Sequence, residues 1–152
     1  MLRSIITFVK LPFRIKLLAF EVTLELTLAC IQLKSQEFKD LAKKLGESES
    51  ECPKVDSPPT KETRYLKGLI RRIADLLPWR CVCFPQAIAG QRILNKKDIP
   101  STLYLGLRKE NGAMKAHAWL RSGQYIVTGD NDISKYTIIN SFTHMPHHDW
   151  KT

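Results

Sequence analysis

Two side chains in this sequence have the types needed for nucleophilic catalysis. Cys83 opens the stretch Cys83-Phe84-Pro85-Gln86-Ala87-Ile88-Ala89. Phe84, Ile88 and Ile93 or Leu94 suggest a helix there, with Pro85 acceptable in its first turn and Pro100 beyond its end, which puts Cys83 at the helix N-terminus. A thiol attacks as thiolate, and the unpaired N–H groups of a helix's first turn stabilise that anion. His117 lies in a segment that reads as a strand, where alternation places Met114, Ala116, Ala118 and Leu120 on one face and Lys115, His117, Trp119 and Arg121 on the other. A cysteine hydrolase needs such an imidazole to exchange the thiol's proton, and a third group to hold the ring. The 34 positions from Cys83 to His117 are enough for a helix, a strand and a turn to bring the two together. For the orienting carboxylate, Asp130 ends the next strand after a hairpin at Ser122-Gly123, and Asp132 is a close alternative. On spacing alone, the same residues also fit a buried small side chain and a structural histidine.

Two other site chemistries have weaker patterns. Cys81-Val82-Cys83 with His144, His147 and His148 offers sulfur and nitrogen ligands, but one-residue cysteine spacing is not usual zinc-knuckle geometry and the histidines fall in a short tail. No metal is expected. A basic helix face near Tyr65 and Trp79 could meet nucleic acid, but no recognised motif accompanies it, and none is expected as a partner.

The elements that must position these residues follow from periodicity. After Pro12, Leu17, Phe20, Leu24, Leu28 and Ile31 recur at helical intervals, and Leu18, Val22, Leu26 and Leu33 widen the apolar face, so this helix needs cover on most sides. Phe38, Leu41, Ala42 and Leu45 predict a short second helix, with Gly46 where a left-handed cap would stand. From Glu47 to Lys61, Ser, Pro and charge leave almost nothing to bury, which reads as a linker. Tyr65, Leu66, Leu69, Ile70, Ile73 and Leu77 form an amphipathic helix that Pro78 stops, its other face carrying Lys67, Arg71 and Arg72. Strands are expected over 102–108, 114–121, 124–128 and 136–142, with Asn111-Gly112 as a hairpin turn. Helices followed by an antiparallel sheet make an α+β pattern, divided into an N-terminal helical extension (1–46), a linker (47–62) and a core (63–152).

Composition bounds the rest. The 152 residues are one domain's worth of chain, 43% hydrophobic and 26% charged, which excludes a disordered or fibrous protein. The net charge of +9 is local: residues 51–97 carry 10 basic and 4 acidic groups, so the middle of the chain holds the positive field. Four scattered cysteines do not make a disulfide scaffold, and a reducing, cytoplasmic setting is expected. Lys10 interrupts any signal-peptide core, and Glu21 and Glu25 cut the apolar helix well short of the roughly 20 residues of a membrane span.

The blocks Cys83 to Ala89, Ile99-Pro100-Ser101-Thr102-Leu103-Tyr104-Leu105-Gly106 and Ala116-His117-Ala118-Trp119, in that order, closely resemble the leader peptidases of lasso-peptide biosynthesis in their stand-alone form. These are transglutaminase-like, papain-like cysteine proteases. Leu11-Pro12, the Phe38 to Gly46 helix and Pro78-Trp79 extend the likeness over most of the chain. The resemblance implies a bacterial enzyme that cuts the leader from a ribosomally made precursor peptide. A separate small leader-recognition protein would deliver the precursor, and an ATP-dependent lasso cyclase would act next. It implies no cofactor. By match to the family's motifs, Cys83 would be the nucleophile, His117 the base and acid, and Asp130 the carboxylate, with Asp132 still an alternative. Cys83's own N–H is the expected oxyanion donor, with Gln86 a candidate for the second. Trp119, Arg71 and Arg72 are expected to contact substrate, the arginines by attracting acidic parts of the leader or of the delivery protein. Asp98 stands where the family usually has glycine, at a left-handed cap. Periodicity leaves open whether helix 13–33 docks on its own domain, on the cyclase or on a membrane surface.

Overall fold

Pro12 caps the first helix, its carbonyl accepting the N–H groups of Ile15 at 2.9 Å and Lys16 at 3.3 Å. The computed structural model describes residues 12–54 and 59–145. Its first helix, α1, is Phe13–Ser35. Leu18, Ala19, Val22, Leu26, Ala29 and Cys30 form its buried face. The expected cover on most sides is not found: Phe13, Leu17, Phe20, Leu24, Leu28 and Ile31 line an exposed opposite face. A short helix α2, Phe38–Ala42, follows and sets Leu41 into the core. It ends earlier than Gly46. That glycine has φ +112° and is needed for close approach, since a Cβ there would stand 2.2 Å from the Thr143 carbonyl oxygen.

Helix α3, Lys61–Leu76, is capped by Thr60, whose hydroxyl accepts the Thr63 N–H at 3.1 Å. It buries Leu66, Ile70 and Ala74 while Arg64, Arg71 and Arg72 stay exposed. Leu77 is extended, as a residue preceding proline tends to be. Helix α4 is Cys83–Lys96, and it buries Ala87, Ile88, Ile93 and Leu94 completely or nearly so. Asp98 beyond it has φ +52°, the left-handed conformation expected at that position.

The strands are β1 Glu47–Ser48, β2 Ser101–Glu110, β3 Ala113–Ser122, β4 Tyr125–Thr128 and β5 Thr137–His144. They form one antiparallel sheet in the order β1-β5-β2-β3-β4. Asn111 and Gly112, both at positive φ, turn the β2–β3 hairpin, and their left-handed pair matches the strands' twist. Side-chain alternation on β3 gives one face to Ala118 and Leu120, which join the helical core. The approach of α4 is close: a Cβ on Gly90 would lie 2.8 Å from Leu120 Cδ2 and 3.2 Å from Ile70 Cδ1. Val22, Leu26, Ile70, Ile88, Leu103, Leu120 and Phe142 thus share one core, each worth about 1.5–3 kcal/mol by burial.

A buried carboxylate ties α1 to α4. Glu25, 6% exposed, accepts Lys96 Nζ at 2.8 Å and lies 3.6 Å from the Arg92 guanidinium, which also donates to Gln32 at 2.5 Å. Buried residues of α1 thus pack into the same core as α3, α4 and the sheet.

The segment expected to be a linker is packed on the sheet over its described part. Glu47 and Ser48 pair with β5, Ser50 O accepts the hydroxyls of Ser141 and Thr143, and Cys52 is buried. Its carbonyls serve the second face of the sheet. There Arg121 donates to Cys52 O at 3.0 Å, to Gly123 O at 2.6 Å and to Tyr104 Oη at 2.7 Å, with Glu51 at 3.4 Å. A buried guanidinium requires that many acceptors, and a polar, proline-rich segment supplies main-chain oxygens without adding apolar area.

Candidate active site

Cys83 is the first residue of α4 and is half-buried. The cap residue Val82 offers no side-chain acceptor, no acidic residue stands in the first turn, and Pro85 has no N–H. The amide of Gln86 is the first to close onto the preceding turn, at Val82 O, 3.4 Å. The N–H groups of Cys83 and Phe84 have no hydrogen-bond partner among the described residues. An anion at the helix start, whether thiolate or a substrate oxyanion, meets these two donors and the helix dipole. Gln86 is engaged elsewhere: its side-chain amide donates to Cys81 O at 2.8 Å and fixes the chain entering the helix.

Cys81 behaves differently from its neighbour two residues on. Its Sγ is buried 2.9 Å from Cys30 Sγ of α1. Burial, reinforced by the Cys30 thiol, pushes the Cys81 thiol up to about 12. At neutral pH it is a protonated, core-facing group.

His117 projects from β3 on the face opposite Ala118 and Leu120. It stacks at 5.9 Å on Trp119 and at 5.0 Å beside Tyr136, and its Nε2 lies 2.9 Å from the Gly129 carbonyl oxygen. Gly129 follows β4 with φ +71°, and a Cβ there would stand 2.4 Å from Ala118 O, so only glycine brings that carbonyl to the ring without strain. Opposite His117 in the β2 register is Gly106, where a Cβ would strike the Trp119 ring at 2.8 Å.

The two candidate carboxylates have other partners. Asp130 Oδ2 accepts Lys67 Nζ at 2.6 Å, and this hydrogen bond, aided by the charges of Lys67 and Arg71, holds its carboxyl below the usual range. Asp132 pairs with Lys135 at 3.0 Å and is lowered by that partner. Among the described residues neither is hydrogen-bonded to His117, whose ring takes the Gly129 carbonyl instead. Trp119, expected to contact substrate, is only 5% exposed and stacks 5.4 Å from Tyr104. It packs the sheet's second face and supports His117. Arg71 and Arg72 are exposed on α3, the helix whose Lys67 holds Asp130 and also donates to Ile126 O at 3.1 Å.

The fold thus brings His117, Gly129, Asp130 and the basic face of α3 to one end of the sheet. It does not join the nucleophile to them: no hydrogen bond links Cys83 and His117 among the described residues. The reason lies in the alternation of β3, which aims Ala118 and Leu120 at the core beneath α4 and His117 at the other face. What residue patterns missed is the role of main chain. A carbonyl has no letter of its own, and the only signal for it was a glycine between a strand end and the aspartate.

Among the described residues no group of three or more His, Cys, Asp or Glu side chains is placed to hold a metal. His147 and His148 of the weaker zinc pattern lie outside the described residues. No helix among the described residues is long and apolar enough to cross a membrane.

A comparison with protein families matches residues 24–141 to the family described as the transglutaminase-like superfamily. Searches of curated proteins and of solved structures find no match. The match runs from within α1 into β5 and so takes in the half-buried Cys83, the strand of His117 and the Gly129-Asp130 corner. The chain belongs to the transglutaminase-like superfamily.

Proposed function

We propose that this protein is a cysteine peptidase that removes the leader from a lasso-peptide precursor before a separate ATP-dependent cyclase closes the ring. The observation that carries the reading is the thiol of Cys83 at an uncapped helix start, with two open N–H donors. Superfamily membership and the resemblance of the three sequence blocks supply the rest.

The roles follow from proton geometry. A carbonyl only accepts, so the hydrogen bond to Gly129 places the ring proton of neutral His117 on Nε2 and leaves the Nδ1 lone pair as the base. Nδ1 takes the Cys83 proton, and the thiolate attacks the carbonyl carbon at the junction of leader and core. The Cys83 N–H receives the oxyanion, and the imidazolium protonates the departing amine. Water then attacks the thioester with His117 as base, freeing the leader carboxylate and restoring the thiol. Asp130, kept ionised by Lys67, lies one residue beyond the carbonyl that orients the ring. For the transfer, Sγ and Nδ1 must come within hydrogen-bond reach, which requires the start of α4 and the His117 segment of β3 to shift relative to one another when substrate binds. The exposed Arg71 and Arg72 suit acidic segments of the leader or of its recognition protein.

The lack of a hydrogen bond between Cys83 and His117 among the described residues favours one second reading, a non-catalytic scaffold that binds precursor or cyclase without cutting. One experiment distinguishes the two. The precursor peptide is incubated with the protein and its recognition partner, and products are read by mass spectrometry beside Cys83→Ala and His117→Ala. Leader release by the wild type and by neither variant supports the peptidase. Binding of the precursor without release by folded wild type supports the scaffold.

A further inference from the structure

We infer that the exposed face of α1 is a self-association surface, on which a second copy of this chain packs its own α1. Helices that are apolar on all sides are normally covered on all sides. Here one side meets the core and the other carries large side chains in the open, with Phe13 78%, Leu17 59% and Phe20 69% exposed. With roughly 150–250 Å² for a fully open side chain of this size, the stripe from Phe13 to Ile31 leaves about 700 Å² uncovered. That exceeds the roughly 300–600 Å² of the largest patch on a typical monomer and approaches the about 800 Å² each partner gives to a stable complex.

The spacing of the stripe selects the occupant. Phe13, Leu17, Phe20, Leu24, Thr27 and Ile31 alternate steps of four and three, the seam of a two-stranded coiled coil, with Leu28 flanking its one polar position. The core-facing residues Val22, Leu26 and Ala29 lie on the other side of the helix, so two copies can meet along this seam with their domains outward. Glu21 beside the seam is already paired with Lys96 of its own chain at 3.2 Å, so apolar side chains rather than charge make the contact. A second copy presents the same seam and is self-complementary to it.

The test is sedimentation equilibrium of the full chain at micromolar concentration, beside Leu17→Glu/Leu24→Glu. Both positions are exposed in the single chain, so circular dichroism should show the variant folded. The expected result is twice the chain mass for wild type and the chain mass for the variant. A monomeric wild type overturns the inference, whether residues 1–11, a different protein or lipid covers the face. Co-sedimentation of monomer with anionic phosphatidylserine vesicles would then identify lipid. A variant that remains dimeric also overturns it.

Discussion

His117 Nε2 stands 2.9 Å from the Gly129 carbonyl oxygen, so main chain rather than a carboxylate orients the imidazole. A carbonyl fixes the tautomer as firmly as a carboxylate does, because it too can only accept. It differs in carrying no charge, and the carboxylate next along the chain, Asp130, is paired with Lys67. In a Ser-His-Asp arrangement one carboxylate orients the ring; here the ring rests on the Gly129 carbonyl while the adjacent carboxylate is held by Lys67.

That division predicts unequal losses. Asp130→Asn keeps the ring on Gly129 and removes only the charge, so leader cleavage should fall by about tenfold or less, a loss of about 1.4 kcal/mol of transition-state stabilisation. His117→Ala, which removes the base, should reduce it by orders of magnitude. Single-turnover rates from mass spectrometry make the comparison. Equal losses for the two variants would mean that the Asp130 carboxylate itself holds the ring during the reaction.

The four thiols should separate by reactivity. Cys83 is half-buried at a helix start, whereas Cys30, Cys52 and Cys81 are buried and burial pushes Cys81 up to about 12. Brief iodoacetamide treatment of the native protein at neutral pH should therefore alkylate Cys83 first, and modification should track loss of leader cleavage. Peptide mapping reads the site. Labelling of Cys81 as fast as Cys83 would show that its thiol is open to solvent and that the α1–α4 packing is looser than described.

The parts of this architecture set by local rules were legible from residues alone. Asn111-Gly112 fixes a hairpin by its φ preferences, Pro78 and Pro85 bracket the approach to α4, and apolar spacing marks every main helix. Cys83 at the helix start belongs to this class. The rest depends on what lies across the sheet. Glu47 to Lys54 has the composition of a linker, yet its carbonyls are what the buried Arg121, Ser141 and Thr143 require, a need written elsewhere in the chain. Trp119 on alternation shares a face with His117, but Tyr104 and Gly106 decide that it is buried. Periodicity also showed both faces of α1 as apolar without saying which one the domain covers.

Acid should weaken the Lys67–Asp130 link in a predictable direction. The lowered carboxyl means that the unfolded chain binds this proton more readily than the folded one. The contribution is therefore fully present above the unfolded carboxylate value, about 3.9, and is lost as pH falls through the lower folded value. Because the Asp130 side chain is 49% exposed, solvent screening limits the effect to at most about 1 kcal/mol. Urea unfolding of wild type and Asp130→Asn checks this: the wild type should be the more stable at neutral pH, with the gap closing below about pH 4 as its own carboxyl becomes neutral. A gap that persists unchanged in acid would assign it to an effect of the amide rather than to the charge. The hydrogen bond of Lys67 to Ile126 O and its position over the Tyr125 ring would then be what holds α3 to β4.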